Sequence, residues 1–167
     1  MEIDARAVLY MVAREFQLKR DSFGERLKLQ KVVYLLQAFG VQLGYGFGWY
    51  KYGPYSQDLV SDAYAVLGSR KSEYERAASE GEWKFSPETL AKFREFKKIC
   101  GLFLDSPEKA ELLASVRFVK NVWCSHLDDK SEFSTEFLKH KPRLCNGELT
   151  KREDVEEAFE VCRRLAG

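Results

Sequence analysis

The sequence predicts a mainly α protein, with a winged-helix-like N-terminal half carrying a small β-hairpin and a helical C-terminal half. Three observations predict it. Apolar residues recur at spacings of three and four over most of the 167 residues. Serine, threonine or aspartate stands where a cap is needed before most of those segments. Two stretches, 44–53 and 72–86, break the helical period with glycine or with alternating aromatic and polar residues. The length fits one domain, made of a winged-helix-like part at 1–86 and a helical extension at 87–167.

Taken in order, Asp4 caps a helix over 4–18, whose buried face is Val8, Leu9, Met11, Val12 and Phe16. Ser22 with Glu25 three residues on has capping-box spacing and opens a helix from about Glu25 to Phe39, stopped by Gly40. Gly44 to Gly53 alternates glycine with Tyr45, Phe47, Trp49 and Tyr52 and reads as a short strand closed by a Gly53-Pro54 turn. Ser56 caps a third helix, Gln57 to Leu67. Glu73-Tyr74-Glu75-Arg76 and Glu82-Trp83-Lys84-Phe85 alternate polar with aromatic and predict a β-hairpin; a short helix through Ala77 is the competing reading. In this order Gln57 to Leu67 stands as the recognition helix and Tyr74 to Phe85 as the wing.

Ser86-Pro87-Glu88 and Ser106-Pro107-Glu108 each place a capping serine, a first-turn proline and a carboxylate at the positive helix end. They open helices over about 87–103 and 107–125. A short helix near 131–138 precedes a loop with Pro142 and Gly147, and Thr150-x-x-Glu153 opens the last helix, to about Leu165.

Composition narrows the function classes. Aromatics at 14% and hydrophobic residues at 45% exclude a disordered chain. Lys plus Arg number 27 and Asp plus Glu 26, so no overall positive field recruits nucleic acid. Charged residues between Met1 and Phe16 argue against a signal peptide, and no apolar run is long enough for a membrane helix. The expected compartment is the cytoplasm, with no membrane partner. Cys100, Cys124, Cys145 and Cys162 would stay reduced there and serve as small buried hydrophobes.

Two motifs carry a family resemblance. Leu27-Lys28-Leu29-Gln30-Lys31-Val32-Val33-Tyr34 resembles the K-L-Q-K-L-x-Y helix of YwgA-like proteins and of the related Panacea (SocA-like) antitoxin domains. Trp49-Tyr50-Lys51-Tyr52-Gly53-Pro54-Tyr55-Ser56, with Leu59 and Asp62 after it, is similar to that group's Y-x-Y-G-P-Y-S-x-x-L signature. Lys141-Pro142 before the last helix is a looser match. The resemblance implies a small, mostly helical bacterial or archaeal protein. Panacea-type members bind and neutralise toxin proteins, and no catalytic residues come with the family.

The candidate partner-binding residues are Gln30, Lys31, Phe47, Trp49, Tyr50, Tyr52, Tyr55 and Ser56. Gln30 and Lys31 either offer hydrogen bonds to a partner or, if buried, brace the Gly53-Pro54 turn. The rings either complete the core or form an interface, where Tyr and Trp are favoured anchors. For DNA, the candidates are Arg70, Lys71 and Arg76 on the wing side and Arg143; residues 56–67 hold Asp58 and Asp62 and no cation, which disfavours a phosphate-lined groove. Cys124, His126, His140 and Cys145 are the one set with metal-ligand chemistry, at spacings unlike common zinc sites. No phosphate loop, HExxH or GxSxG is present. The expectation is a non-enzymatic, cofactor-free protein-binding regulator of antitoxin or adaptor type. The alternatives are a winged-helix DNA-binding regulator and, third, a defence-associated enzyme.

Overall fold

A computed structural model describes residues 4–81 and 83–166. It is mainly helical, with eight α-helices and one two-stranded antiparallel hairpin among those residues. The helices are α1 (Ala5–Glu15), α2 (Phe23–Ala38), α3 (Gln57–Tyr64), α4 (Lys71–Glu80), α5 (Pro87–Cys100), α6 (Pro107–Val122), α7 (Lys130–His140) and α8 (Arg152–Ala166). The strands are β1 (Gly48–Tyr50) and β2 (Gly53–Tyr55).

The caps explain where most helices begin. Asp4 accepts from the Ala7 amide, Ser22 from Glu25, Ser56 from Leu59, Ser86 from Thr89 and Ser106 from Lys109. Each satisfies an amide that the helix itself leaves unpaired. Asp129 does the same for α7. Thr150 departs from expectation. Its hydroxyl is buried without a hydrogen-bond partner, so it closes no capping box before α8.

Helices α2 and α6 lie side by side at the centre. Leu29, Val32, Val33 and Leu36 of α2 and Leu113, Val116 and Val119 of α6 are almost wholly buried between them and their neighbours. On one side α1, α3 and α4 pack together; on the other, α8 covers α5, α6 and α7. Phe133, Phe137 and Phe159 form the α7–α8 contact, with Phe133 and Phe159 5.0 Å apart. Among the described residues no helix is long and apolar enough to cross a membrane.

Two local expectations are corrected. The wing hairpin at Tyr74 to Phe85 is absent: Lys71–Glu80 is helical, and Glu82 lies outside the described residues. Tyr74 and Ala78, four apart, form the buried face of α4, and Tyr74 meets Tyr10 at 6.2 Å between ring centres. Four alternating residues fit a helix of that length as well as a strand. The hairpin of this protein is instead at 48–55, with Lys51 and Tyr52 at its tip and Gly53-Pro54 inside β2. Helix α3 is shorter than expected and runs on as a wide π-turn over Ala65–Ser69.

The two halves meet in an aromatic seam. Phe16 packs edge-on against Phe93 at 5.2 Å and near Phe96 at 5.7 Å, and Phe96 also meets Phe39. Phe96→Ala is expected to cost about 3–5 kcal/mol in urea denaturation, the range for emptying a closed aromatic site. A cost under about 1 kcal/mol would show that the seam is not a shared core.

Candidate functional site

Residues 41–56 make little regular structure, and a hairpin of three residues per strand is not stable alone. Side chains of α2 hold it. The Gln30 amide donates to the Ser56 carbonyl and accepts from the Ser56 N–H, both at 2.9 Å. Two turns along the helix, Gln37 makes the same double bond to the backbone of Tyr45, both at 2.8 Å. Lys31 donates its ammonium to the Pro54 carbonyl. The Tyr45 hydroxyl donates to Asp62 at 2.8 Å, and Asp62 also takes the Arg6 guanidinium at 2.9 Å, which ties the loop to α1 and α3.

Gly53 explains itself from the same geometry. Its φ is +87°, which favours glycine, and a Cβ there would collide with the Ser115 hydroxyl of α6. The same imagined Cβ lies 3.8 Å from the Lys31 ammonium. The hairpin is therefore pressed between α2 and α6 at its glycine.

A buried charge cluster surrounds this point. Lys31 is 1% exposed and Glu111 fully buried. Lys141 pairs with Glu111 at 3.1 Å and reaches over the Trp49 ring at 5.9 Å, while the Cys145 amide donates to Glu111 at 2.7 Å. Burial pushes the Glu111 carboxyl up, against the pull of Lys141 and the Cys145 amide. Burial also brings the Lys31 ammonium down from its ordinary 10.5 to about 7, opposed by Glu111 and aided by Lys141.

The predicted site residues divide accordingly. Gln30, Lys31 and Ser56 are buried, with their polar groups spent inside the molecule. Phe47 packs on Tyr34, and Trp49 on Phe118 and Trp123 at 5.5 and 5.1 Å. Tyr50, Tyr52 and Tyr55 face outward. Tyr50 is 57% exposed and meets Tyr55 at 5.0 Å, while Tyr52 stands edge-on to Phe23. These three tyrosines line an apolar pocket of about 390 Å³ between the N-terminal part of α2, the hairpin and α3. Leu27, Leu29 and Ala63 also line it, and Phe23, Val60, Arg20, Arg26 and Lys51 complete its wall and rim. The sequence reading missed those last five. The available signals were a phenylalanine directly after the Ser22 cap, between Arg20 and Arg26, and Lys51 as the lone charge within the aromatic motif.

The other candidates form no common site: Arg70 and Arg76 line one hollow beside α1, which Arg143 does not share. Arg70 pairs with Glu73 at 2.9 Å, Lys71 and Arg76 are exposed on α4, and Arg143 donates to the Gly147 carbonyl at 2.7 Å in a distant loop. Among the described residues no group of three or more His, Cys, Asp or Glu is placed to hold a metal. Cys124 is buried, His126 exposed, His140 stacks on Trp123 at 5.1 Å, and Cys145 is half-buried. Comparison with protein-family models gives no match, and no curated protein matches the chain.

Two outcomes test the brace. Gly53→Ala should cost about 1–2 kcal/mol for the left-handed backbone alone, with the Ser115 collision added; a urea-denaturation cost below about 1 kcal/mol contradicts the packing. For Lys31, between about pH 7 and 10.5 the unfolded chain holds a proton that the folded chain has released, so stability rises with pH across that window. Below it, folding bears the whole cost of burying the cation. Lys31→Met removes this rise and orphans the Pro54 carbonyl, costing about 1–3 kcal/mol near pH 9. The gap to the wild type should narrow as pH falls towards 6, and parallel stability profiles would refute the buried-lysine assignment.

Proposed function

We propose that this protein is a non-enzymatic, protein-binding regulator of antitoxin or adaptor type, which docks a partner on the pocket beside the hairpin. The observation that carries the reading is the outward set of rings. Tyr50, Phe23 and Val60 stay exposed around an apolar hollow, although Phe47 and Trp49 close by pack inward on Tyr34, Phe118 and Trp123. An exposed apolar cluster rimmed by polar residues is the usual mark of an interaction site, and tyrosines are favoured anchors there. The motifs at 27–34 and 49–62 add support for a YwgA-like or Panacea-type relative. Gln30, Lys31, Phe47, Trp49 and Ser56 then act as positioning residues, and Tyr50, Tyr52 and Tyr55 make the contact.

The winged-helix DNA reading has less support. No wing stands at 74–85, and the exposed positions Gln57, Asp58, Val60, Ser61 and Tyr64 of α3 offer no cation to phosphates.

The test is co-purification from native cells with a tagged chain after nuclease treatment, comparing wild type with Tyr50→Ala. Because Tyr50 is exposed, the variant should keep its melting temperature. A stoichiometric protein retained by wild type and reduced roughly tenfold by Tyr50→Ala fits the proposal. Loss of every partner on nuclease treatment, or equal capture by both chains, rejects it.

A further inference from the structure

We infer that the pocket recognises an acidic-apolar segment of a protein partner: one large apolar side chain enters the hollow, and Asp or Glu residues beside it meet Arg20, Arg26 and Lys51. This rests on the protein-docking reading above and specifies the partner's chemistry.

The charge at the pocket is one-sided. Arg20, Arg26 and Lys51 line it together with the buried Lys31, and no aspartate or glutamate does. The chain as a whole is balanced, at 27 cations to 26 anions, so this rim is a local departure. Among the described residues none of the three rim cations makes an ion pair with a carboxylate, so their charge stands uncancelled at a mouth that no carboxylate lines. They are also held in place by groups that leave their charge unneutralised. The Arg20 guanidinium lies over the Tyr64 ring at 4.9 Å, Arg26 gives one N–H to the Arg20 carbonyl at 3.2 Å, and Lys51 stands 5.3 Å from the Tyr52 ring centre. An arginine has five N–H donors, so most of those at the rim remain for a carboxylate.

The floor decides what lies between the charges. Its polar groups are the Gln30 amide and the Lys31 ammonium, and both are bonded to the hairpin backbone. The Gln30 amide is thus not free to pair with the polar edge of a nucleobase on that floor, whereas a leucine, phenylalanine or tryptophan side chain needs little such pairing. The volume of about 390 Å³ lies in the range of pockets that enclose a ligand group. A basic segment would meet like charge at Arg20, Arg26 and Lys51.

The experiment selects binders to the full chain from a displayed library of random dodecapeptides, then measures the enriched peptides by fluorescence anisotropy. Wild type is compared with Arg26→Glu, Lys51→Glu and Tyr50→Ala, and with Lys98→Glu on exposed α5 as a charge control. A single-stranded oligonucleotide is titrated in parallel. Enriched peptides should carry Asp or Glu flanking a large apolar residue. Their affinity should fall roughly tenfold or more in each of the three pocket variants, weaken with salt, and be unchanged in Lys98→Glu, all variants melting as wild type does. Peptides lost with Tyr50→Ala but indifferent to the charge reversals overturn this inference and leave the docking reading standing. Failure to enrich any pocket-dependent peptide, or an oligonucleotide that binds the pocket more tightly than the peptides, overturns both.

Discussion

The double hydrogen bond between the Gln30 amide and the Ser56 backbone, with Lys31 on the adjoining Pro54 carbonyl, is the constraint on which the N-terminal half depends. It replaces the neighbouring strands that a three-residue hairpin lacks. Gln30 offers one donor and one acceptor in the spacing a strand would use, and Gln37 repeats the device two helical turns away at Tyr45. Both glutamines sit on a helix that is already fixed in the core, so little additional entropy is lost in ordering them. Lysine is the costlier member. Burying its ammonium is unfavourable, and the fall of its pKa towards neutrality expresses that cost. What it gains is a firm partner for a carbonyl that lies between two helices and away from water.

The brace also sorts the aromatic residues. Once Gly53 is pressed against Ser115 and Pro54 is held by Lys31, the strand direction is set. Phe47 then packs on Tyr34 of α2, and Trp49 falls on the α6 side, where Phe118, Trp123 and the Lys141 ammonium receive it. Tyr50, Tyr52 and Tyr55 fall on the other side, at the pocket. Removing the carboxylate of Glu111 would leave Lys141 buried and unpaired, a loss usually larger than the worth of the pair itself. The inner rings and this ion pair thus support the position of the outer rings without touching anything that binds there.

Much of this was legible in the residues and some was not, for physical reasons. Helix starts were legible because a cap is a local contract: Ser22, Ser56, Ser86 and Ser106 each bond an amide three residues away. Thr150 has the same spacing and makes no such bond, because burial rather than capping decides its place. Tyr74 and Ala78 were misread because alternation over four residues does not separate a strand from a short helix, and only the burial of both, with Tyr74 against Tyr10, does so. Gln30 and Lys31 were ambiguous because their partners lie 26 and 23 residues away. Polar residues on a helix are ordinarily solvated. The spacing of seven between Gln30 and Gln37, opposite a glycine-rich segment, was the readable trace of the brace.

Net charge illustrates why the site itself was harder to read than the fold. A balance of 27 to 26 is an average over a surface on which some charges are cancelled by neighbours, as the ion pairs of Arg6, Arg70 and Lys97 show, and others are not. What a partner meets is the residue of that cancellation, and cancellation depends on tertiary placement. Arg20, Arg26 and Lys51 come from the α1–α2 connection, from α2 and from the hairpin tip, and they escape pairing only because the fold brings no carboxylate to their mouth of the pocket. Rigid positioning then matters as much as sign. The aromatic rim stands on a hairpin fixed by buried bonds, so a docking segment has little receptor order to establish, and preorganisation of that kind is what raises affinity at a given contact area.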